Sequence, residues 1–179
     1  MPAPGHVFWL FGLSGAGKST LAEKLAVQLR ERGSVPLLLD GDALRAGLCH
    51  GLGFSDAERL ENLRRAAEVA RIGTASGLCV VASFITPLEV HRQAVARIVG
   101  RQHLSLIHLS APLSVCQTRD AKGLYARAKQ GLVAQMTGIS SLFEEPGEVD
   151  LKIDTAAESI DASATRLGRF ALARLRPNR

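Results

Sequence analysis

Residues 12–19 read Gly12-Leu13-Ser14-Gly15-Ala16-Gly17-Lys18-Ser19, the pattern G-x-x-x-x-G-K-[ST] without a mismatch, and Thr20 follows. Glycines here let backbone approach a phosphate that side chains would hold off. Such a loop, set between a strand and a helix, aims successive backbone N–H groups at one spot, with the positive end of the helix dipole behind them. In that geometry Lys18 reaches the β- and γ-phosphates of a nucleoside triphosphate, and the Ser19 hydroxyl ligates Mg²⁺. Lys18 is one of only five lysines in a chain that otherwise carries positive charge on arginine, so general lysine richness does not explain it. Further along, Asp40-Gly41-Asp42 supplies two early carboxylates.

The elements around the motif suit it. Val7-Phe8-Trp9-Leu10-Phe11 is an apolar run of strand length, and after Ser19 the residues Leu21, Leu25, Ala26 and Leu29 recur at helical spacing. Apolar runs predict further strands over 35–39, 78–84, 104–109 and 151–153. Helical periodicity covers 56–77, 88–99, 113–119 and 158–175, and Leu60, Leu63, Ala67 and Ala70 are expected on the inner face of the longest helix. Residues 120–138 are the least periodic, basic and punctuated by Gly123, Gly131 and Gly138. Alternating strands and helices, with strands apolar on both faces, predict an α/β fold. The expected form is a P-loop NTPase-type three-layer α/β/α arrangement with a mostly parallel sheet and a mobile lid at about 120–138. Repeats and linkers are absent, so 1–179 reads as one domain.

In such sheets ligands sit beyond the carboxyl ends of the strands. The residues expected at that rim are the glycine loop, Asp40-Gly41-Asp42, Ser83-Phe84-Ile85-Thr86-Pro87 and Ser110-Ala111-Pro112.

Composition narrows the class. Hydrophobic content of 46% and charged content of 22% are ordinary for a folded domain and argue against wholesale disorder. Cys49, Cys79 and Cys116 are odd in number and lack C-x-x-C spacing, which fits a reducing compartment better than disulfides or a zinc site. The net charge of +5 comes from basic residues interspersed with acidic ones, which favours anionic small substrates over nucleic acid. No stretch approaches the roughly 18 consecutive apolar residues of a membrane span, and Met1-Pro2-Ala3-Pro4-Gly5 resembles neither a signal nor a transit peptide. A soluble cytoplasmic protein is expected.

Two kinds of nucleotide-using protein compete: one that hydrolyses the triphosphate, and a kinase that passes the γ-phosphoryl group on. A guanine reader of the form Asn-Lys-x-Asp is excluded, since neither Asn62 nor Asn178 precedes a lysine. A motor ATPase normally carries a carboxylate after a distant strand, whereas the later strands here end in Ser83 and Ser110. A small-molecule kinase with a closing lid remains.

Several segments, in order and spacing, resemble the adenylylsulfate kinase family. They are GLSGAGKST (12–20), LDGDALR (39–45), GLGFSDAERLEN (51–62), SFITP (83–87), RDAKGLY (119–125) and TGI (137–139), and the likeness runs from about residue 7 to 155. The first is shared widely; the combination of the second, third and fifth is specific. The resemblance implies ATP- and Mg²⁺-dependent phosphorylation of the 3′-hydroxyl of adenosine 5′-phosphosulfate (APS), giving PAPS. It also implies a homodimer.

By that resemblance Asp42 orients or deprotonates the attacking hydroxyl and helps Ser19 hold Mg²⁺. Arg45, Arg59 and Asn62 hold the sulfate, phosphate and ribose or base of APS, and Phe54 stacks on its adenine. Arg59 and Asn62, three apart, share a helix face. Ile85, Thr86 and Met136 complete the acceptor pocket. Lys122 neutralises phosphoryl or sulfuryl charge on lid closure, and Arg119 and Thr155 extend the ATP contacts. The chain also departs from the family pattern. Thr86 stands where a serine described as a phosphoserine intermediate is usual, which favours direct in-line transfer. Leu88-Glu89 replaces Tyr-Arg, Met136 a phenylalanine, Ser140 an aspartate, and Leu142-Phe143 Pro-Tyr. Two alternatives follow from those changes: a kinase of this fold acting on another small hydroxylated anion, and a nucleotide-binding regulatory protein with weak turnover.

Overall fold

The N-terminal apolar run forms β1 (Val7–Phe11), whose five residues are all fully buried. It sits at the centre of a five-stranded parallel sheet in the computed structural model, which describes residues 5–120, 123–132 and 135–175. The other strands are β2 (Leu37–Asp40), β3 (Val80–Phe84), β4 (Leu104–Ser110) and β5 (Leu151–Asp154), in the order β2-β3-β1-β4-β5. The chain leaves β1 to build one side of the sheet, then crosses back to build the other. The crevice beyond the carboxyl end of β1 is therefore the switch point where such sheets bind ligands.

Helices cover both faces. Phe8 and Leu10 point toward α1 (Lys18–Arg30) and the closing helix at Ile160–Arg174, which supply Leu21, Leu25, Leu29, Ala164 and Leu167. Val7, Trp9 and Phe11 point the other way, toward the helices at Asp56–Ala75 and Glu89–Val99. The period-2 alternation of β1 thus feeds two cores, and each fully buried leucine stabilises by about 1.5–3 kcal/mol. In chain order the remaining helices are α2 (Gly41–Ala46), α3 (Asp56–Ala75), α4 (Glu89–Val99), α5 (Leu113–Arg119), α6 (Leu124–Lys129) and α7 (Ile160–Arg174).

Three expectations change. Leu60 is 39% exposed, because the buried stripe runs through Arg59, Leu63, Ala66, Ala70 and Gly73 and leaves Leu60 at its edge, while Leu63, Ala67 and Ala70 are in the core as expected. The second strand begins at Leu37, with Val35 standing 75% exposed before it. The segment at 120–138 contains α6, which the sequence reading did not predict. Asp120 accepts from the backbone N–H groups of Tyr125 and Ala126 and so caps its first turn.

At the carboxyl end of β1, Phe11 stacks on His108 of β4, and His108 stacks on Phe143, at centroid separations of 5.1 and 5.9 Å. Burial pushes the His108 imidazole down to about 4, with Lys152 and Arg92 adding to the shift and Glu145 opposing it. A histidine held neutral in the fold destabilises it as pH falls, because only the unfolded chain takes up the proton. The loss starts near the ordinary value of 6.5 and is complete at about 4. His108→Phe keeps an aromatic ring in the stack and should flatten the fall in thermal unfolding midpoint between pH 7 and 4. The expected gain at the acid end is on the order of 2–3 kcal/mol. His6, also lowered to about 4 chiefly by burial, leaves a residual slope in the same window. An unchanged pH profile in His108→Phe would show that this ring does protonate in the fold.

Candidate active site

The glycine loop connects β1 to α1, and its conformation needs the residues it has. Gly15 has φ of 80°, and a Cβ there would stand 2.7 Å from the Cys116 carbonyl oxygen. Gly12 has φ of 149°, and a Cβ would meet the Leu109 carbonyl oxygen at 2.3 Å. The loop is therefore pressed against β4 and α5, where only glycine fits. Lys18 donates to the Leu13 carbonyl at 2.8 Å, which folds its side chain back over the loop. Ala16 is fully buried, and its carbonyl accepts from the Thr155 hydroxyl at 3.0 Å.

One cleft of about 470 Å³ runs from this loop across the carboxyl ends of the strands. Ser14, Gly15, Gly17, Lys18, Ser19 and Thr20 line one part of it, with Arg119 and Thr155 alongside. Asp42, Arg45, Phe54, Arg59 and Asn62 line the opposite part, together with Ile85, Thr86 and Met136. Gly12, Leu13 and Ala16 shape the loop from behind and do not reach the cleft wall. Lys122 lies outside the described residues. Of the departures from the family pattern, only Thr86 and Met136 face the cleft. Glu89 pairs with the buried Arg92 at 2.9 Å, Ser140 accepts from the Met136 N–H, and Phe143 stacks on His108.

Asp40 is the residue that the sequence reading left without a role. One carboxylate oxygen accepts from the hydroxyls of Ser19 at 2.9 Å and Ser83 at 2.8 Å. The other accepts from the backbone N–H groups of Asp42 and Ala43 and so caps α2. Burial raises its carboxyl pKa, but the bonds from Ser83, Ser19 and the two backbone groups outweigh that and hold it below the ordinary range. The Asp-Gly-Asp signal was visible. Its contact with a serine 21 residues earlier was not.

At the other end, the arginines hold a loop as well as lining the cleft. Arg45 donates to the carbonyls of Leu52 and Gly53, and its guanidinium lies 4.3 Å from the Phe54 ring centroid. Arg59, only 7% exposed, donates to the Phe54 carbonyl and to the Gln135 carbonyl. Phe54 itself is half exposed and offers an apolar ring edged by two cations. Ser55 and Glu58 form a capping box that starts α3 at this point and thereby fixes where Arg59 and Asn62 emerge. The Asn62 side-chain oxygen is buried and has no hydrogen-bond partner among the described residues.

Two further residues tie the 120–138 segment and β5 to the phosphate loop. The buried Tyr125 donates its phenol hydrogen to the Ser14 carbonyl at 2.9 Å. Arg119 donates to the Thr155 hydroxyl at 3.2 Å and to the Gly15 carbonyl. Tyr125 stood inside the RDAKGLY segment, but nothing local in the sequence says that its hydroxyl reaches residue 14.

Hard oxygen donors dominate the phosphate end: the Ser19 hydroxyl and the carboxylates of Asp40 and Asp42. Among the described residues no three His, Cys, Asp or Glu side chains gather to hold a metal by themselves. That set fits Mg²⁺, which keeps several waters and shares its ligands with substrate phosphates.

A model of the family described as adenylylsulphate kinase matches residues 4–154. The adenylyl-sulfate kinase of Paraburkholderia xenovorans is 48% identical over 165 residues, covering 92% of each chain. A structure of the Mycobacterium tuberculosis APS kinase in complex with AMPPNP and APS superimposes with a TM-score of 0.91. It is 38% identical and covers 96% of this chain and 99% of that one. A hexameric APS kinase from Thiobacillus denitrificans superimposes at 0.70 with 30% identity, covering 97% of this chain and 29% of that one.

Proposed function

Because the chain belongs to the adenylylsulphate kinase family, we infer that it transfers the γ-phosphoryl group of ATP to the 3′-hydroxyl of APS, giving PAPS and ADP. The observation that carries this reading is a continuous cleft with a phosphate loop at one end and a two-arginine, one-phenylalanine cluster at the other. The triphosphate lies on the backbone N–H groups of residues 14–19, flanked by Arg119 and Thr155. Lys18 follows the charge that develops on the γ-phosphoryl oxygens. Asp42 holds the 3′-hydroxyl and accepts its hydrogen as the ribose oxygen bonds to phosphorus and the bond to the β–γ bridging oxygen breaks. Ser19 and Asp42 would hold Mg²⁺, with Asp40 orienting Ser19 from behind, and the charge neutralisation that phosphoryl transfer needs would come from the ion when bound.

Phe54 presents its exposed ring to the APS adenine, and Arg45, Arg59 and Asn62 take the anionic and ribose groups. Ile85, Thr86 and Met136 close the pocket around them. Within one kinase domain, residues at about 120–138 act as the lid and carry Lys122 toward the transferred charge. The contacts Tyr125–Ser14 and Arg59–Gln135 support that reading, since they tie the segment to both halves of the cleft. The same reading includes a homodimer in the cytoplasm. Among the described residues no helix is long and apolar enough to cross a membrane.

A coupled ATP-consumption assay against APS, other adenylates and sugars tests the acceptor. Arg59→Ala removes a charge-assisted partner and should cost roughly 1.5–3 kcal/mol, about 10- to 150-fold in kcat/KM for APS. Phe54→Ala should cost about 1–3 kcal/mol if stacking on the base is comparable to aromatic stacking on nucleobases elsewhere. Neither should move the KM for ATP. If Phe54→Ala left acceptor kinetics untouched, the acceptor would carry no base, and APS would be the wrong substrate.

A further inference from the structure

Thr86 is held in an unusual way. Its φ is +45°, a left-handed conformation that a β-branched residue rarely adopts, and only 1% of it is exposed. The backbone around it is clamped. Arg92 donates to the carbonyls of Thr86 and Pro87, and the Gly12 N–H donates to the Ile85 carbonyl. The side chain is clamped from the opposite side by Trp9, whose Nε1–H donates to Thr86 Oγ1 at 2.9 Å. Trp9 is fully buried in β1 and stacked on Phe84 at 4.8 Å, so the indole has no freedom to turn away.

An indole N–H can only donate, and a threonine hydroxyl carries one hydrogen and two acceptor sites. Oγ1 is therefore an acceptor toward Trp9, and its own hydrogen must go elsewhere. No described residue takes it, and Thr86 lines the cleft between Ile85 and Pro87. We propose that Trp9 is a positioning residue for the acceptor site. Its indole fixes the Thr86 hydroxyl as a hydrogen-bond donor to an acceptor-only oxygen of the bound substrate, an oxygen of its phosphate or sulfate. Transfer through a phosphothreonine would need a base to remove that hydrogen, whereas the group bonded to Oγ1 is itself a donor. Thr86 thus binds rather than carries phosphate. This inference rests on the reading of the cleft as an APS kinase site.

The experiment is a double-mutant cycle with Trp9→Phe and Thr86→Val, read as KM for APS, KM for ATP and kcat. Trp9→Phe keeps an aromatic ring against Phe84 and deletes the donor together with part of the indole's buried volume, so its thermal unfolding midpoint is read beside the kinetics. It should raise the KM for APS about 5- to 20-fold and leave the KM for ATP unchanged. Thr86→Val should raise it roughly tenfold or more, while Thr86→Ser, which keeps the hydroxyl, should retain most of the affinity. The double variant should be no worse than Thr86→Val alone, because Trp9 acts only through the hydroxyl that Thr86→Val already removes. Trp9 is the chain's one tryptophan, so its emission adds a readout free of turnover. Thr86→Val should shift that emission to shorter wavelength and abolish its response to APS. Additive losses in the cycle, an unaltered emission maximum in Thr86→Val, or stoichiometric phosphate on Thr86 chased into product would each overturn the inference while leaving APS kinase activity standing. Wild-type protein that neither binds nor phosphorylates APS would sink the functional reading, and this inference with it.

Discussion

Lys18→Ala is expected to lower kcat for phosphoryl transfer by on the order of 10²–10³-fold, the cost of removing one donor aimed at transition-state charge. The side chain lies on the rim of the cleft, outside both hydrophobic cores, and its charged bond to the Leu13 carbonyl contributes at most about 1.5–3 kcal/mol net. The fold should survive, with a thermal unfolding midpoint only slightly below that of the parent. Lys18→Arg should recover little, since a planar fork does not replace a compact ammonium bent back over the loop. Single-turnover transfer of labelled γ-phosphate, measured beside thermal unfolding, separates the two effects. Full activity in Lys18→Ala would remove the kinase reading altogether.

Asp40→Ala should damage both stability and chemistry, and by separable routes. Losing the cap of α2 costs about 0.5–2 kcal/mol, and the hydroxyls of Ser19 and Ser83 lose their shared acceptor at the same time. Asp40→Asn retains an oxygen for the cap but offers an NH₂ where two hydroxyls donate. Its stability should be closer to the parent, and its loss of function concentrated in metal use. Removing the orienting partner of a metal ligand typically costs about 10- to 100-fold in metal affinity, so the Mg²⁺ concentration for half-maximal rate should rise by a comparable factor. The KM for APS should move little, in contrast to Arg59→Ala. An Asp40→Asn enzyme with the parent's Mg²⁺ dependence would show that Ser19 needs no orientation from behind. Acid stability offers a second check. A carboxylate held below its ordinary range stabilises the fold above that range, and the contribution disappears as pH falls through the folded value. Asp40→Asn should lose that part of the acid sensitivity.

The apolar strands, the alternation with helices and the glycine loop were legible residue by residue, because each rests on local periodicity or on a short contiguous motif. All five strands were anticipated, and the helix at Leu113–Arg119 was placed to the residue. The capping box Ser55-x-x-Glu58 was equally visible and marks where the long helix begins, although periodicity alone had already placed that start. Apart from Leu60 and the start of the second strand, the errors came where periodicity is weak. The six residues of α6 are too few to show an amphipathic stripe, and their start depends on Asp120 curling onto backbone N–H groups five and six residues ahead.

By itself, then, the sequence determined the parallel α/β architecture, the phosphate loop with Lys18 and Ser19, and the membership of Asp42, Arg45, Phe54, Arg59 and Thr86 in one rim. Asp42 and Thr86 follow from strand ends, whereas Arg45, Phe54 and Arg59 follow from the motifs that resemble the family. Only the tertiary structure decided which groups hold those residues in place. Asp40 meets Ser19 and Ser83, Tyr125 meets the carbonyl of Ser14, and Trp9 meets Thr86 across 77 residues. Each of these contacts joins two elements distant in sequence, strand to strand, strand to helix, helix to phosphate loop or strand to loop, through a single hydrogen bond. Such a bond leaves no periodic trace in the sequence, because it depends on sheet order and on which way one side chain turns at the end of its strand.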